Sequence, residues 1–320
     1  MLRMILRRIP QMLIVVLGVS FLTYTIMFVL PGDVVTTLLG DNYTEEAAAE
    51  LTQKLHLDEP FFPRYLTWLG DFVTGNGGTS LIPPHQEVWS LVWRSLLPTV
   101  ELLVVAEIFA ILIAVLLAVV SVASRSRVVD RVIQAIALAC NSIPGFVMGL
   151  LLIMLFAVQL KLVSPRGWVS PFGPGGDWGE NIAHIVFPGI VLGIFTFPVI
   201  MRVFRAELVE QLDNEDYVTL ARLKGVPGRR VIFNHVLRNS SFGLLTVVGI
   251  NLARLIGGAV IIEAVFAIPG IGTLIKDSVV SHDTPTALVT VTVIAIFVVV
   301  MNLVIDLLYA VLDPRVRDAG

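Results

Sequence analysis

The sequence predicts an all-α integral membrane protein with six transmembrane helices and both termini in the cytoplasm. Three observations carry that expectation. First, only 15% of the 320 residues are charged and 56% are hydrophobic, whereas charged residues make up about a quarter of an ordinary soluble domain; the mean hydropathy is +0.86. Second, the apolar residues gather into six runs, 9–30, 98–121, 132–160, 184–204, 242–265 and 286–311. Each is long enough to cross a hydrocarbon core of ~30 Å as a helix, which takes roughly 20 residues. Third, the basic residues are unevenly placed. With the N-terminus inside, fifteen of the 22 lysines and arginines fall in inner segments, the side that positive charge favours.

The first run follows Arg3, Arg7 and Arg8. It resembles a secretory signal, but it is too long, and LPGD (30–33) follows it in place of a small-x-small cleavage site. It is expected to be a retained anchor, 1–30. An outer segment, 31–97, comes next. Thr44 is a helix N-cap signal, followed by Glu45, Glu46 and AAAELTQKLHL. FPRYLTWLGDFV is a second helix candidate, closed by GNGG. Trp68, Trp89 and Trp93 have two readings here: rings at the membrane interface, or packing inside a small folded cap. Residues 98–312 hold the other five spans. SRSRVVDR (124–131) joins the second and third on the inner side. SPRGWVSPFGPGGDWG, within 161–183, is an outer loop by its Pro and Gly content. The largest inner segment is 205–241, FAIPGIG opens the outer segment 266–285, and 313–320 form a cytoplasmic tail. The third and sixth runs are long enough to tilt or to project beyond the core.

Several chemistries have no sequence signal. There is no G-x-x-x-x-G-K-[ST] loop, no H-E-x-x-H and no G-x-S-x-G. The five histidines are scattered without ligand spacing. The single Cys140 excludes an intrachain disulfide and a multi-cysteine metal site. Nothing suggests nucleic-acid readout, and the chain is expected to bind no metal and to perform no catalysis.

Ionisable residues inside the spans are few: Glu101, Glu107, Arg254, Glu263 and Asp306. Such groups usually face a bundle interior and mark a pathway or a pair. Glu107 and Arg254 lie about ten and twelve residues from the outer ends of their spans, so their depths match within one turn at ~1.5 Å per residue. They either approach each other, directly or through a shared polar cavity, or have separate local partners. Gly189 and Gly193, and the row Gly249, Ala253, Gly257, serve either close helix packing or a path for a bulky solute.

EDYVTLARLKGVPGRR (215–230) is the polar exception between two apolar runs. Asp213 or Asn214 is placed to cap a helix with Glu215 and Asp216 in its first turn. Tyr217, Leu220 and Ala221 share a face. Arg222 and Lys224 stand in the last turn, Gly225 at a left-handed stop, and Pro227 just beyond. A basic amphipathic helix, about 228–238, follows. By physics alone the segment is either an interfacial connector on anionic lipid or a docking knob for a cytoplasmic partner.

DYVTLARLKGVPGRRVIFNHVLRNS (216–240) resembles the "EAA" loop of ATP-binding-cassette importer permeases. RMILRRIPQMLIVVLGVSFLTYTIMFVLPGD (3–33), HLDEPFFPRYLTWLGDFVTG (56–75), NSIPGFVMGLLLIMLFA (141–157), EAVFAIPGIG (263–272) and VIDLLYAVLDPRVR (304–317) resemble the dipeptide, oligopeptide and nickel branch. Within it they are similar to the B-type permease with a long outer loop. Three places depart from the family pattern: Thr219-Leu220, where small or polar residues are commoner, GNGGTS (75–80), and PGDVV in place of PGDP. The resemblance implies a type I importer permease in a bacterial inner membrane, paired with a homologous second permease. It implies two ATP-binding subunits, which use the ATP, and an extracytoplasmic substrate-binding protein. Asp216, Tyr217, Ala221, Lys224 and Gly225 become the ATPase-coupling residues, and Glu107, Arg254, Gly257, Glu263 and Pro269 the path or gate. Pro144, Pro188 and Pro198 are expected to supply kinks. Peptides are the expected cargo; nickel complexes, glutathione or another small solute are the alternative. A secondary carrier driven by ions is disfavoured by the scarcity of mid-span acids and of any inverted repeat.

Overall fold

The structure is a computed structural model describing residues 2–30, 34–40, 43–54, 57–124, 126–161, 167–173 and 175–312. Pro31–Asp33, Arg125, Arg166 and the tail 313–320 lie outside the described residues. In chain order the helices are α1 (Leu2–Val29), α2 (Val34–Leu39), α3 (Glu45–Lys54), α4 (Phe61–Val73), α5 (Val88–Ala123), α6 (Arg127–Ser142) and α7 (Gly145–Leu152). Then come α8 (Trp178–Asn214), α9 (Asp216–Leu223), α10 (Gly228–Val231), α11 (Leu237–Phe266), α12 (Ile271–Val280) and α13 (Thr284–Leu312). Among the described residues, 153–159 after α7 and 232–236 between α10 and α11 wind as π-helix.

Among the described residues four helices, α1, α5, α8 and α13, are long and apolar enough to cross a membrane. Two bent pairs bring the number to six if each pair is one span. The third run is one of them. It does not form a single rod: α6 and the segment Gly145–Gln159 meet at 102°. Proline disfavours helical backbone in the residue before it, and Ile143 before Pro144 is extended, with ψ 127°. Pro188 and Pro198 behave otherwise; both are buried inside the continuous helix α8. The fifth run bends by 47° between Gly243–Leu252 and Arg254–Phe266.

The chain divides into two compact units. One comprises residues 2–97 and 269–300. Many of its aromatic residues form a continuous pile. Tyr24 and Phe61 meet edge to face at 5.0 Å between centroids. From Tyr65 the rings stack through Trp68 (6.0 Å), Phe72 (5.5 Å), Trp89 (5.7 Å) and Trp93 (6.4 Å). Trp68 and Trp89 are therefore packing residues of a folded cap, and only Trp93, at the end of the pile, is largely exposed. Buried Asp283 ties the loop around residue 80 to the start of α13. Its carboxylate accepts hydrogen bonds from Ser80 Oγ (2.5 Å), the Leu81 amide (3.1 Å) and Thr286 Oγ1 (2.7 Å).

The other unit, 98–268 and 301 onward, carries the polar segment and most of the span chemistry. Ala110, Ala114 and Ala118 of α5 are fully buried four residues apart and share a cluster with Phe197, Met201 and Phe204 of α8. A Cβ on Gly189 would stand 2.4 Å from Val105 Cγ1, and one on Gly193 would stand 2.7 Å from Phe109 and 2.8 Å from the Ala106 carbonyl oxygen. Gly249 likewise leaves room for Ile305, 2.6 Å from where its Cβ would be. These small residues serve close helix packing, the main attraction available between helices in lipid. Gly257 is different, with nothing within 4 Å of the Cβ position.

Candidate functional site

The polar segment is a short helix held between two long ones. α8 runs on to Asn214, so Asp213 and Asn214 close that helix instead of capping the next. Glu215 is the extended residue at the start of α9, and it makes no side-chain cap. The C-terminal end follows the expected rule. Gly225 has φ +75°; its amide bonds the Arg222 carbonyl at 3.0 Å, and the Val226 amide bonds that of Ala221 at 3.1 Å. This pair of bonds is a Schellman stop, which needs a left-handed residue at the glycine position. After Pro227 the chain turns helical again at Gly228 and continues through the π stretch into α11. The expected separate helix 228–238 is thus the first turns of the fifth span.

α9 presents two unlike faces. Val218 is buried, and Tyr217 and Ala221 pack beside it against the unit's core. The Tyr217 hydroxyl donates to Gln211 Oε1 at 2.7 Å, fixing α9 to the end of α8. The outer face carries Asp216, Leu220, Leu223 and Lys224; Leu220 is 57% exposed and Leu223 80%. Leu220 therefore does not share the inward face of Tyr217 and Ala221, as the sequence spacing suggests, because burying Val218 turns it outward. A cavity of about 600 Å³ opens beside this loop, lined by Arg127, Arg222 and Arg229 among others. Within it Arg205 forks onto Asp130, with Nε to Oδ1 at 2.7 Å and Nη2 to Oδ2 at 2.8 Å, joining α8 to the first turn of α6. Such a bidentate pair fixes orientation as well as charge.

The span residues sort into three environments. Glu107 is buried, and Asn251 Nδ2 donates to its Oε2 at 3.3 Å. Arg254, one turn further on, does not pair with Glu107; it is exposed on a cavity of about 380 Å³ that Asn251 also lines. Glu263 is fully buried and accepts from Thr99 Oγ1 at 2.5 Å, tying α11 to α5. Gly257 lies on an exposed stripe with Ile250, Arg254 and Ile261, which are spaced to share one helix face. Pro269 is exposed in the turn before α12. Glu101, a further span acid, accepts from Trp168 Nε1 at 2.8 Å and Asn181 Nδ2 at 3.1 Å, fastening the outer loop. The side chain of Asp306 lies outside what the structure describes.

Residues 84–318 match the family described as "binding-protein-dependent transport system inner membrane component", and residues 1–83 match its N-terminal companion. The chain belongs to this permease family. The oligopeptide transport system permease protein AppB of Bacillus subtilis (strain 168) is 33% identical over 313 residues, covering 98% of both chains. The dipeptide transport system permease protein DppB of Alkalihalophilus pseudofirmus is 33% identical over 334 residues, covering 99% of this chain and all of the relative. That of Escherichia coli (strain K12) is 32% identical over 345 residues, covering 99% of each. The permease is a multi-pass component of the inner membrane.

Sequence reasoning singled out the permease's charged span residues but passed over their partners. Asn251 and Thr99 supply the hydrogen bonds of Glu107 and Glu263. Asn251 had a signal, being a polar residue one turn from Arg254 within an apolar run. Thr99 and the Asp130–Arg205 fork had none, because each joins helices distant in sequence.

Proposed function

We infer that this chain is a transmembrane permease subunit of an ATP-driven importer of di- and oligopeptides. It forms the translocation path with a homologous second permease. Cargo arrives from an extracytoplasmic binding protein. Two ATP-binding subunits on the cytoplasmic side hydrolyse ATP, and this chain performs no catalysis. The observation that carries the reading is the near-complete alignment with relatives named as dipeptide and oligopeptide permeases.

The polar segment supplies the coupling step. A helix with Leu220 and Leu223 outward, fastened to α8 through Tyr217 and stopped by Gly225, is a rigid knob on the end of two spans. Burying each leucine against an ATPase contributes roughly 1.5–3 kcal/mol at most. Asp216 and Lys224 border those leucines, while Tyr217 and Ala221 hold the knob in place from beneath. Movement of the ATPases then pulls on α8 and α11 together, because α9 joins one to the other, and the spans rock between outward and inward openings. Arg254 and Gly257 lie on the path in this reading. Glu107 and Glu263 support it from behind, and Pro269 belongs to the turn after α11.

The test is reconstitution with the second permease, both ATPases and the binding protein in liposomes. ATP hydrolysis and import are measured against a panel of peptides, nickel chelates and glutathione. Peptide-stimulated hydrolysis with peptide uptake is expected. Stimulation only by a nickel chelate or glutathione would overturn the cargo, and uptake without ATPases would overturn the mechanism.

A further inference from the structure

The helix α4 of the outer segment is 13 residues long, too short to cross a membrane, and it has three sides. Tyr65, Trp68 and Phe72 face the aromatic pile. Arg64, Thr67 and Asp71 are spaced by three and four and form a polar edge. Phe62, Leu66 and Val73 make the third side and are between 61% and 76% exposed. Pro63 and Gly70 lie among them, also exposed, and this side carries no charge. A helix standing in water turns polar residues outward; this one turns out its apolar ones.

The depth of α4 follows from the helices it packs on. α1 crosses between Arg8 and Val29, a rise of roughly 33 Å that matches a hydrocarbon core of ~30 Å. With the N-terminus inside, Val29 is the outer end. The Tyr65 hydroxyl is hydrogen-bonded to Ser20 Oγ at 2.9 Å. Ser20 lies nine residues before Val29, about 13 Å into the core. Tyr65 also clusters with Tyr24 and Leu288. Tyr24 lies five residues before Val29, about 8 Å in. Leu288 lies four residues beyond the outer start of α13 at Thr284, about 6 Å in. Two spans from opposite ends of the chain thus give Tyr65 a depth between about 6 and 13 Å, where an exposed side chain meets hydrocarbon instead of water.

The surface beside α4 agrees. Phe62 stacks on Phe21 at 6.2 Å, and Phe28 meets Phe61 edge to face at 5.2 Å. The open side of α4 therefore continues the exposed apolar side of α1, formed by Leu22, Ile26 and Phe28. The start of the helix suits the same place. Pro60 precedes it and Pro63 stands in its first turn; neither carries an N–H, so fewer amides are left needing water. A second membrane protein fits this face less well than lipid does. Close helix contacts here use rows of small residues such as Gly189 and Gly193, as is usual in membranes. The outer row of α4, Phe62, Leu66, Gly70 and Val73, has a single small member.

We propose that α4 lies in the outer leaflet of the bilayer, with Phe62, Leu66 and Val73 against lipid acyl chains and Thr67 and Asp71 toward the headgroups. Interfacial amphipathic helices sink their apolar face ~5–10 Å in this way. The segment between the first two spans is then partly a membrane element, and α4 pins the aromatic pile to the bilayer. None of this depends on the cargo.

The experiment places a nitroxide on Phe62→Cys, Leu66→Cys, Val73→Cys and Asp71→Cys, each in a Cys140→Ala background, in the assembled transporter in liposomes. Collision with oxygen and with a water-soluble nickel chelate is measured. At positions 62, 66 and 73 oxygen is expected to relax the label more than the chelate does, and at 71 the order is expected to reverse. Chelate access at the first three equal to that at 71 would place the helix in water and overturn the proposal. Exclusion of both probes from the first three would also overturn it, in favour of a protein neighbour. The unmutated transporter gives an independent reading. A phosphatidylcholine with a diazirine on its acyl chain is expected to form adducts within 61–73, and adducts on α1 with none on α4 would overturn the proposal.

Discussion

The polar helix α9 and the Arg254 cavity are two polar interruptions in an apolar chain, and they are built in opposite ways. α9 is specified by neighbours in sequence. A left-handed glycine, a proline two residues on and a buried valine determine where it stops and which face it shows. The cavity is specified by neighbours in space. Arg254 and Asn251 come from α11, Asn141 and Gly145 from the two sides of a broken span, and Thr196 from α8. In the importer reading proposed above, a docking helix has to be rigid by itself before a partner meets it, whereas a solute path has to be assembled from several helices, so that their movement can take it apart.

The sharpest way to break this comparison is to disturb the packing behind the cavity. Gly189→Val places new atoms against Val105 Cγ1, already 2.4 Å from the Cβ position. A loss of roughly 3 kcal/mol or more is expected, read as a failure of the purified protein to survive detergent heating. Survival at the unmutated temperature would show that α8 and α5 are not locked as described.

The outward face of α9 gives the next largest effect. Leu223 is 80% exposed, so Leu223→Asp leaves the isolated permease folded. It is expected to weaken ATPase association by roughly tenfold or more, since the lost apolar burial is of order 1.5–3 kcal/mol. Co-purification with the ATPases is the measurement, and full retention would move docking off this face.

Gly225 separates conformation from space. Nothing lies within 4 Å of a Cβ there, yet φ is +75°. Gly225→Val is expected to cost about 1–2 kcal/mol in helix termination, seen as lowered peptide-stimulated ATPase activity. Gly225→Asn, which tolerates left-handed backbone, is expected to keep most of the activity. Equal loss in both would point to a steric contact with the ATPase instead.

The smallest effect tests a purely local device beside the cytoplasmic cavity. Ser126 caps α6, accepting from the Val129 amide at 3.4 Å. Ser126→Ala is expected to lower stability by about 0.5–1 kcal/mol and to leave import within twofold. A large import defect would mean that the start of α6 takes part in coupling.

Much of the fold was legible in the chain, but unevenly. Apolar run length announced six crossings, and the four uninterrupted helices among them follow the runs closely. Helix ends were less legible: α8 passes ten residues beyond its apolar run to Asn214 before stopping. A membrane boundary read from hydropathy marks where oil ends, and a helix ends only where its hydrogen bonds do. The candidate site divides the same way. Gly225 was readable because a Schellman stop involves residues a few positions apart. Asn251 as the partner of Glu107 was not, because depth along two helices does not say which faces meet.

Sequence alone determined that this chain lives in a membrane as helices, that Gly225 ends the polar segment, and that Arg254 is an exceptional charge. Those are consequences of composition and of rules acting over a few residues. The tertiary structure alone decided that Gly189 and Gly193 are packing contacts while Gly257 stands open, that Tyr217 and Ala221 face inward, and that Arg254 opens on the cavity beside the broken span. A helix has the same local hydrogen bonds whichever way it is rotated about its axis. Only packing against other helices chooses which side meets a neighbour and which is left open.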